Sequence, residues 1–284
     1  MNTAYVFPGQ GSQAVGMGKD LAEALLEKAN QILGFDLKKI CFEGPEDELK
    51  KTAIQQPAIF TVSIAAFRNL PTPSSQLLAF AGHSLGEYSA LCAAGAISFE
   101  DGVKLVNLRG KFMQEAVPAG EGAMAALLGG DRKVIQDICA EIGGVWPANF
   151  NSPGQVVISG KKASVEAAGE KLKQAGVKKV IPLAVSAPFH CPLMQPAADK
   201  LALELDKINI NDITIPVISN VTAEKVYKGI EIKKLLVKQV TSPVLWEDSI
   251  KNMSADGVTN FIEVGPGKVL TGLIKKIVPD ATFG

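Results

Sequence analysis

The sequence predicts an α/β protein in which a large domain with a parallel sheet carries a smaller inserted domain. Short apolar runs alternate with helical patterns in the first third of the chain, an order typical of parallel strands joined by crossover helices. The order of elements changes near Gly122 and returns to buried strands in the last third. The length of 284 residues suits a large domain together with a small one.

The N-terminal elements follow this alternation. TAYVFPG is a short β-rich run that a Pro-Gly pair ends, and GMGKDLAEALLEKANQIL has apolar residues at helical spacing. IQQPAIFTVSIAAFRNL is the next predicted helix, LLAFAG is a buried strand, and LGEYSALCAAGAI is a helix of small residues that can pack closely. The apolar residues that place the first helix are Leu21, Leu25, Leu26 and Ile32.

A second unit begins near Gly122. AMAALLGG predicts a strand, DRKVIQDICAEI a helix, VWPANFNSPGQVVISG two strands around a turn, ASVEAAGEKLKQAG a helix and VKKVIPLAVS a strand. This βαββαβ order is that of the ferredoxin-like unit, whose ends lie close enough together for insertion into another domain. The predicted domains are residues 1–120 with 188–284, and residues 121–187.

The last third of the chain returns to the larger sheet. IPVISN and NFIEVG predict buried strands, and KVLTGLIKKIV predicts a final amphipathic helix. The segment EVGPGKVLTG is not a phosphate-binding loop, because Gly265, Gly267 and Lys268 lack the four-residue spacing of that motif.

Composition argues against several classes of function. Lys plus Arg and Asp plus Glu number 29 each, so no strong field attracts nucleic acid or an anionic membrane. The four cysteines are far apart and form no C-x-x-C pair, which indicates reduced thiols. With two histidines and no metal-binding motif, we expect no metal site. The sequence has neither a leader pattern nor an apolar run of membrane-spanning length, so we expect a cytoplasmic location.

Ser84 is the candidate nucleophile. Gly82-His83-Ser84-Leu85-Gly86 matches G-x-S-x-G between an apolar strand and a helix, the context in which this motif forms a nucleophile elbow. Such a turn strains the backbone of the serine and leaves room for glycine alone on either side. The alternative is a serine that only caps a helix in a glycine-rich turn.

The base that activates this serine must be one of the two histidines. Adjacent side chains diverge at a sharp turn, so the ring of His83 does not easily reach the Ser84 hydroxyl. His190 lies in VSAPFHCPLM, in a Pro-bracketed loop that can present a functional side chain, and is the better candidate. The alternative is a histidine that satisfies local backbone groups.

Arg109 falls on the apolar side of a predicted helix. A guanidinium stays charged, so its burial calls for an anionic partner, and its planar fork suits a carboxylate. That partner is either an acidic residue in a structural ion pair or the free carboxylate of a substrate. The apolar arc around Arg109 is Leu105, Val106, Phe112, Met113 and Ala116, and the outer face is Lys104, Asn107, Lys111 and Gln114.

The N-terminal segment FPGQGSQAVGMG could be taken for a dinucleotide fingerprint, since Gly9, Gly11 and Ala14 fit G-x-G-x-x-A after a strand. Pro8 ends the strand early, however, and Gln10 between the glycines indicates another use. We expect Gln10 to bring a hydrogen-bond donor to the acyl oxygen of a substrate.

Together these residues resemble the malonyl-CoA:acyl carrier protein transacylases of fatty-acid synthesis and the related acyltransferase domains of polyketide synthases. The resemblance covers essentially the whole chain, and no catalytic position departs from the family pattern. The motifs that carry it are, in order, VFPGQGSQ, GHSLGEYSAL, NLRGKFMQEA, NFNSPGQVVISG, PFHCPLM and EVGPGKVLTGL.

The resemblance implies an α/β-hydrolase-like large domain, a ferredoxin-like insertion, and a dyad of Ser84 and His190 between the two. In that family Arg109 would bind the malonyl carboxylate. The backbone amides of Gln10 and Leu85 would form the oxyanion hole.

The same resemblance concerns three further residues. A carbonyl orients the histidine in that family, and Gln239 and Asn220 are candidates for groups near His190. Phe189 resembles the malonyl-selecting version, in which a bulky ring leaves little space for a methyl branch.

The expected function is transfer of malonyl from CoA to the phosphopantetheine thiol of acyl carrier protein through a malonyl-serine. We expect no cofactor. We also expect a monomer that binds neither nucleic acid nor membrane. The alternatives are an acyltransferase of a polyketide pathway, a serine thioesterase or esterase, and a carrier-docking module without chemistry. Lysines of the small domain either meet the acidic carrier or are solvated surface, namely Lys161, Lys162, Lys178 and Lys179.

Overall fold

The structure is a computed structural model that describes residues 1–71, 76–185 and 187–284. Its strands are β1 (Asn2–Phe7), β2 (Gln76–Gly82), β3 (Gly122–Leu128), β4 (Val145–Ser152), β5 (Gln155–Lys161), β6 (Lys179–Pro182), β7 (Val217–Ile218), β8 (Lys225–Val226), β9 (Asn260–Glu263) and β10 (Thr282–Phe283).

The helices cover the faces of the sheets that these strands form. They are α1 (Glu23–Leu33), α2 (Leu37–Glu43), α3 (Glu46–Leu49), α4 (Thr52–Arg68), α5 (Gly86–Ala93), α6 (Phe99–Glu115), α7 (Arg132–Ile142), α8 (Lys162–Gln174), α9 (Gln195–Leu205), α10 (Gly229–Gln239), α11 (Trp246–Ala255) and α12 (Val269–Ile277). None of the helices within the described ranges has both the length and the apolar character that crossing a bilayer requires.

The larger sheet has six strands in the order β10-β9-β1-β2-β7-β8, and only the last pair, β7 with β8, is antiparallel. Phe7 at the end of β1 lies opposite Gly82 at the end of β2. The loops that follow the parallel strands therefore leave from the same edge of the sheet. In open α/β sheets this carboxyl edge is where ligands bind.

The smaller sheet has four strands in the order β4-β5-β3-β6, and all of its pairs are antiparallel. Its edge strand β4 is joined to the larger unit by the segment before α11. Phe150 N–H donates to Val244 O, and Val244 N–H donates to Ala148 O, both at 2.9 Å. The smaller sheet is thus connected by backbone hydrogen bonds to a segment that lies outside both sheets.

Side-chain packing follows the alternation along the strands. On β1, Tyr5 and Phe7 contribute to one apolar cluster, and Ala4 and Val6 contribute to another on the opposite face. The first cluster also contains residues of the smaller sheet, namely Met124, Ala148 and Val157. One face of the smaller sheet therefore belongs to the main core, whereas α7 and α8 cover its other face.

The α/β class is confirmed, but several predicted elements have different bounds. The first helix begins at Glu23, and Leu21, which was expected to place it, is 43% exposed. The strand predicted from IPVISN is reduced to β7, and the strand predicted from VKKVIPLAVS is reduced to β6, with Ser186 outside the described residues. Apolar runs next to proline are short strands here, because proline supplies no N–H to a ladder.

Candidate active site

Ser84 lies in a sharp turn between β2 and α5. Its φ of 51° is in the left-handed region, which non-glycine residues rarely occupy. A Cβ on Gly82 would lie 1.9 Å from the carbonyl carbon of Gly86, and a Cβ on Gly86 would lie 2.0 Å from Phe7 O. Only glycine fits at both positions, so the turn has the geometry that the sequence motif predicts.

The Ser84 hydroxyl contacts the imidazole of His190. Ser84 Oγ lies 2.7 Å from His190 Nε2, and His190 Nδ1 lies 2.9 Å from the carbonyl oxygen of Gln239. A carbonyl oxygen only accepts, so Nδ1 carries the proton of the neutral ring and Nε2 offers its lone pair to the hydroxyl. His190 also has a positive φ, of 58°. Both residues of the pair are thus held in strained backbone conformations.

The surroundings of His190 keep its ring neutral. Burial lowers the pKa of His190 to about 3, and the nearby positive charge of Arg109 acts in the same direction. The hydrogen bond to the Gln239 carbonyl opposes this shift. The ring is therefore available as a proton acceptor at neutral pH.

The predicted burial of Arg109 is confirmed, because the residue on α6 is fully buried. Its Nη1 donates to Gln56 Oε1 at 2.8 Å, and its Nη2 donates to Gln239 Oε1 at 3.0 Å and to Ser84 Oγ at 3.2 Å. Its guanidinium carbon lies 5.3 Å from the ring centre of Tyr88. In the described part of the chain, none of the oxygens that accept its hydrogen bonds belongs to a carboxylate, as a structural ion pair would require.

Asn107, which was expected on the outer face of the same helix, is buried. Its side chain is 5% exposed, and Nδ2 donates to Ala53 O at 2.7 Å. The backbone of α4 approaches α6 closely, since a Cβ on Gly110 would lie 2.6 Å from Thr52 O. The polar side of a helical wheel therefore does not mark the solvent side here, because a neighbouring backbone supplies the hydrogen bond.

Gln10 and Leu85 lie on either side of the elbow. Gln10 follows β1, and the preceding Gly9 packs so tightly that a Cβ would lie 2.4 Å from His83 O. Leu85 immediately follows Ser84 and is buried. Within the described ranges, neither backbone N–H donates a hydrogen bond to another residue.

A row of amide side chains connects Gln10 with Arg109. Gln10 Nε2 donates to Gln55 Oε1 at 2.6 Å, and Gln56 Nε2 donates to Gln10 Oε1 at 3.4 Å. Gln56 in turn accepts from Arg109. Sequence reasoning did not identify Gln55 and Gln56, whose only signal is a pair of glutamines in a helix that is otherwise apolar.

Asn220 and Gln239 were both expected near His190, and they occupy different positions. Gln239 contacts His190 through its backbone oxygen and Arg109 through its side chain. Asn220 instead contacts the elbow: Ser84 N–H donates to Asn220 Oδ1, and Asn220 Nδ2 donates to Gly82 O, both at 2.7 Å. The loop after β7 thus fixes the serine backbone, not the histidine.

The ring of His83 points away from the Ser84 hydroxyl. Its Nε2 lies 2.8 Å from Asn151 Oδ1 at the end of β4, and it packs edge to face on Trp246 with ring centres 5.7 Å apart. His83 therefore joins the elbow to the smaller sheet. Phe189, beside His190, is 6% exposed and belongs to the main apolar cluster.

Glu87 is a further buried group that sequence reasoning missed. It lies in the first turn of α5, and its Oε2 accepts hydrogen bonds from Gln239 and Asn220. Burial raises the pKa of this carboxyl group to about 7. No cluster of His, Cys, Asp and Glu in the described ranges is suited to hold a metal ion. The arrangement instead places a neutral imidazole and a buried guanidinium around one serine hydroxyl.

Comparison with known proteins agrees with this arrangement. A curated malonyl CoA-acyl carrier protein transacylase of Escherichia coli K12 is 52% identical over 98% of this chain and 94% of its own length. The crystal structure of an acyl carrier protein S-malonyltransferase from Vibrio cholerae superposes with a TM-score of 0.94 at 46% identity, covering 100% of this chain and 96% of that one.

A third relative is a chain from the structure of a type II PKS acyl-carrier protein in complex with its malonyl-transacylase. It matches with a TM-score of 0.94 at 45% identity, covering 100% of this chain and 95% of that one. The sequence profile of the acyl transferase domain family matches residues 4–281. With nearly the whole chain inside that profile, the protein belongs to the acyl transferase domain family.

Proposed function

We propose that the protein transfers the malonyl group from malonyl-CoA to the phosphopantetheine thiol of acyl carrier protein, for fatty acid biosynthesis. The observation that carries the proposal is that Ser84 Oγ lies within hydrogen-bond distance of both His190 Nε2 and Arg109 Nη2. A nucleophile, its base and a cation for the substrate carboxylate thus meet at one atom. The activity named for relatives of this chain supports the same assignment.

In the first half-reaction, Ser84 Oγ attacks the thioester carbonyl carbon while its proton moves to His190 Nε2. The carbonyl oxygen becomes an oxyanion, and the backbone amides of Gln10 and Leu85 stabilise it. The C–S bond then breaks, and the sulfur of CoA leaves with the proton that His190 carries. The product is a malonyl ester of Ser84.

Arg109 binds the malonyl carboxylate in this scheme. Its Nη2 donates to the Ser84 hydroxyl, and a bound carboxylate replaces Ser84 as a partner of the guanidinium. The positive charge of Arg109 lowers the pKa of His190. A carboxylate beside Arg109 offsets that charge and makes the imidazole a stronger base when substrate is present.

In the second half-reaction, the thiol of the carrier gives its proton to His190 and attacks the ester carbonyl. The Ser84 oxygen leaves and takes that proton back, so both half-reactions use the same groups in opposite order. Ser84 is 8% exposed and His190 is 4% exposed. Such burial limits the access of water, which would otherwise hydrolyse the ester.

The remaining assignments complete the proposal. The reaction needs no metal or cofactor, because His190 carries out each proton transfer. The partners are malonyl-CoA and acyl carrier protein, without nucleic acid or membrane, and the protein acts as a monomer in the cytoplasm. Four free cysteines agree with a reducing location. Lysines 161, 162, 178 and 179 are candidates to meet an acidic carrier.

We assign the two sheets to two domains. Residues 1–120 and 188–284 form an α/β-hydrolase-like domain, and residues 121–187 form a ferredoxin-like domain. The strand order β4-β5-β3-β6 and the crossing helices α7 and α8 support the second assignment. Phe189, buried beside His190, is proposed to restrict the acyl pocket to unbranched malonyl.

Two alternatives use the same site. Service to a polyketide pathway is supported by the complex of a type II PKS carrier with its malonyl-transacylase, and it differs from our proposal in the identity of the carrier. A thioesterase or esterase would release free malonate even when a carrier thiol is present.

The decisive experiment is incubation with malonyl-CoA without acceptor, followed by mass spectrometry of the modified peptide. We expect one malonyl adduct on Ser84, no adduct in Ser84→Ala, and loss of the adduct from wild type when holo acyl carrier protein is added. An adduct that survives on another residue of Ser84→Ala would contradict the nucleophile assignment. Arg109→Ala should lose malonyl transfer far more than acetyl transfer, and equal loss would contradict the carboxylate-binding role.

A further inference from the structure

Glu87 is a buried carboxyl group that the proposed mechanism does not use. It is 2% exposed and lies three residues after the nucleophile. Its Oε2 accepts from Gln239 Nε2 at 2.7 Å and from the backbone N–H of Asn220 at 3.2 Å. Burying a carboxyl group is unfavourable unless its contacts compensate, so a side chain at this position whose only role was to fill space would be apolar.

We propose that Glu87 is a positioning residue for acyl transfer, which fixes the orientation of the Gln239 amide so that Gln239 can hold Arg109 and His190 together. This inference rests on the proposed function. It concerns how the carboxylate-binding cation is placed, and it gives Glu87 no contact with the reacting atoms.

Glu87 contacts the side-chain amide of Gln239 and thereby bears on its orientation. An amide has a donor end and an acceptor end, and Glu87 Oε2 is an acceptor here because the backbone N–H of Asn220 also donates to it. Gln239 Nε2 must therefore face Glu87, and it also donates to Ser84 O at 3.0 Å. With the donor end fixed there, Oε1 faces Arg109 Nη2 and accepts from it. The reversed amide would set its NH2 group against the guanidinium, donor against donor.

The backbone of Gln239 contacts His190. The carbonyl oxygen of Gln239 accepts from His190 Nδ1 at 2.9 Å. Gln239 is fully buried at the C-terminal end of α10, and its side chain is held at both ends by Glu87 and Arg109. One residue thereby sets the distance between the base and the cation.

Glu87 also bears on the buried positive charge of Arg109. Arg109 is fully buried, and its direct hydrogen-bond partners are neutral. Burial lowers the pKa of Arg109, and Coulombic attraction from Tyr88 and Glu87 opposes that shift. In its ionised form, Glu87 is a counter-charge that acts through the intervening amide of Gln239. A directly paired carboxylate would neutralise the guanidinium and compete with the substrate, and the Gln239 amide prevents that contact.

The test compares Glu87→Gln with wild type. This change keeps the shape of the side chain and removes its negative charge, and its NH2 group opposes the observed orientation of Gln239 whenever it faces Gln239 Nε2. We expect the ratio of kcat/KM for malonyl-CoA over acetyl-CoA to fall about tenfold or more, because small displacements of a positioning group have effects of that size. Glu263→Gln is the matched control, since Glu263 is a buried carboxylate that accepts from Leu270 N–H and Thr271 N–H at the start of α12.

A double-mutant cycle isolates the route through Gln239. Gln239→Met keeps the length of the side chain, removes both hydrogen-bonding ends and keeps the carbonyl that orients His190. It should itself reduce malonyl selectivity, and Glu87→Gln should then change that selectivity less than twofold in the Gln239→Met background. Full additivity would show that Glu87 does not act through Gln239.

Each outcome decides the proposal. An unchanged malonyl-to-acetyl ratio in folded Glu87→Gln overturns it, and so does an equal loss of selectivity in Glu263→Gln. If Glu87→Gln does not fold, as judged by circular dichroism, retained selectivity in Gln239→Met overturns it from the other end. Wild type measured in parallel separates the two claims, since absence of malonyl transfer by wild type refutes the proposed function itself.

Discussion

At the level of single residues, the site depends on contacts that leave no room for a methyl group. Gly86→Ala would place a Cβ 2.0 Å from the backbone oxygen of Phe7, which cannot move without displacing β1. We expect this variant to lose about 3 kcal/mol of unfolding free energy or more, measured by denaturant titration. It should also form the malonyl adduct much more slowly.

Gly272→Ala is the matched control for that prediction. Gly272 lies inside α12, and a Cβ added there meets nothing within 4 Å. Alanine in an open helical position is favoured over glycine by about 0.5–1 kcal/mol. A destabilised Gly272→Ala together with an undisturbed Gly86→Ala would contradict our account of the elbow.

The buried histidine gives a prediction about acid stability. Burial lowers the pKa of His190 to about 3, so below the ordinary histidine pKa of about 6.5 the unfolded chain binds a proton that the folded protein excludes. His190 therefore destabilises the fold as pH decreases from about 6.5 toward its folded pKa. Between pH 6 and 5 the decrease for one such group is about 1 kcal/mol.

His190→Asn removes this group and keeps a similar polar shape. We expect the unfolding free energy of the variant to decrease by about 1 kcal/mol less than that of wild type between pH 6 and 5. His83 is present in both proteins, so the difference isolates His190. Parallel decreases in wild type and variant would mean that the buried imidazole is protonated in the folded state.

Some of these residues could be identified from sequence because each breaks a local pattern. Ser84 stands between glycines at a strand-helix junction, and Arg109 stands in an apolar arc. The role of Glu87 depends on Gln239, which lies 152 positions away in the chain. Its only signal is a carboxylate in a helix of small residues, and that signal indicates burial without naming a partner.

At the level of elements, α7, which covers the smaller sheet, is joined to α11 by a bidentate ion pair. Arg132 at the start of α7 donates to both oxygens of Asp248 on α11, at 2.9 and 2.8 Å, and its guanidinium stacks 3.8 Å from the ring centre of Phe150. Both side chains are partly exposed. Stacking and fork geometry restrict the arginine, which makes this pair stronger than an ordinary surface pair.

A double-mutant cycle with Arg132→Gln and Asp248→Asn should give a coupling energy of about 0.5–1 kcal/mol in denaturant titrations. The comparison is Lys133 with Asp137, an exposed pair within α7, for which we expect about 0.3–0.5 kcal/mol. A smaller coupling energy for Arg132–Asp248 than for Lys133–Asp137 would mean that stacking and fork geometry add nothing to the contact between α7 and α11.

Element types were more predictable than element ends. The helix over IQQPAIFTVSIAAFRNL is observed as α4 despite the internal Pro57, and most of its residues are buried. The sequence showed the apolar length of this helix but not which face meets α6, because its apolar residues surround it and its few polar residues mark no solvent-facing side. The first helix starts late because Gly16 and Gly18 adopt positive φ in the preceding turns.

At the level of the whole molecule, the two sheets share one core. Met124, Ala148 and Val157 of the smaller sheet pack in the same cluster as Phe7 and Leu85. Backbone hydrogen bonds from Val244 extend β4 into the larger unit. We therefore expect a single calorimetric unfolding transition, with a calorimetric enthalpy close to the van't Hoff enthalpy.

The control for this expectation is Met124→Ala, which removes buried apolar contact between the sheets. It should lower the midpoint without dividing the transition, since the remaining contacts still couple the two units. Two separated transitions in wild type would show that the smaller sheet unfolds independently. The order of strands and helices predicted the inserted unit, but this shared core depends on which face of the smaller sheet turns inward, and the sequence does not specify that.

The long separation between the residues of the dyad has a consequence for biosynthesis. Ser84 and His190 are 106 positions apart, and the carbonyl that orients the imidazole comes another 49 positions later. During translation the elbow leaves the ribosome well before its base, and the base leaves before its acceptor. Under the proposed function, the hydroxyl of Ser84 therefore stays unreactive toward thioesters until synthesis has passed residue 239, when the remaining parts of the site can assemble around it.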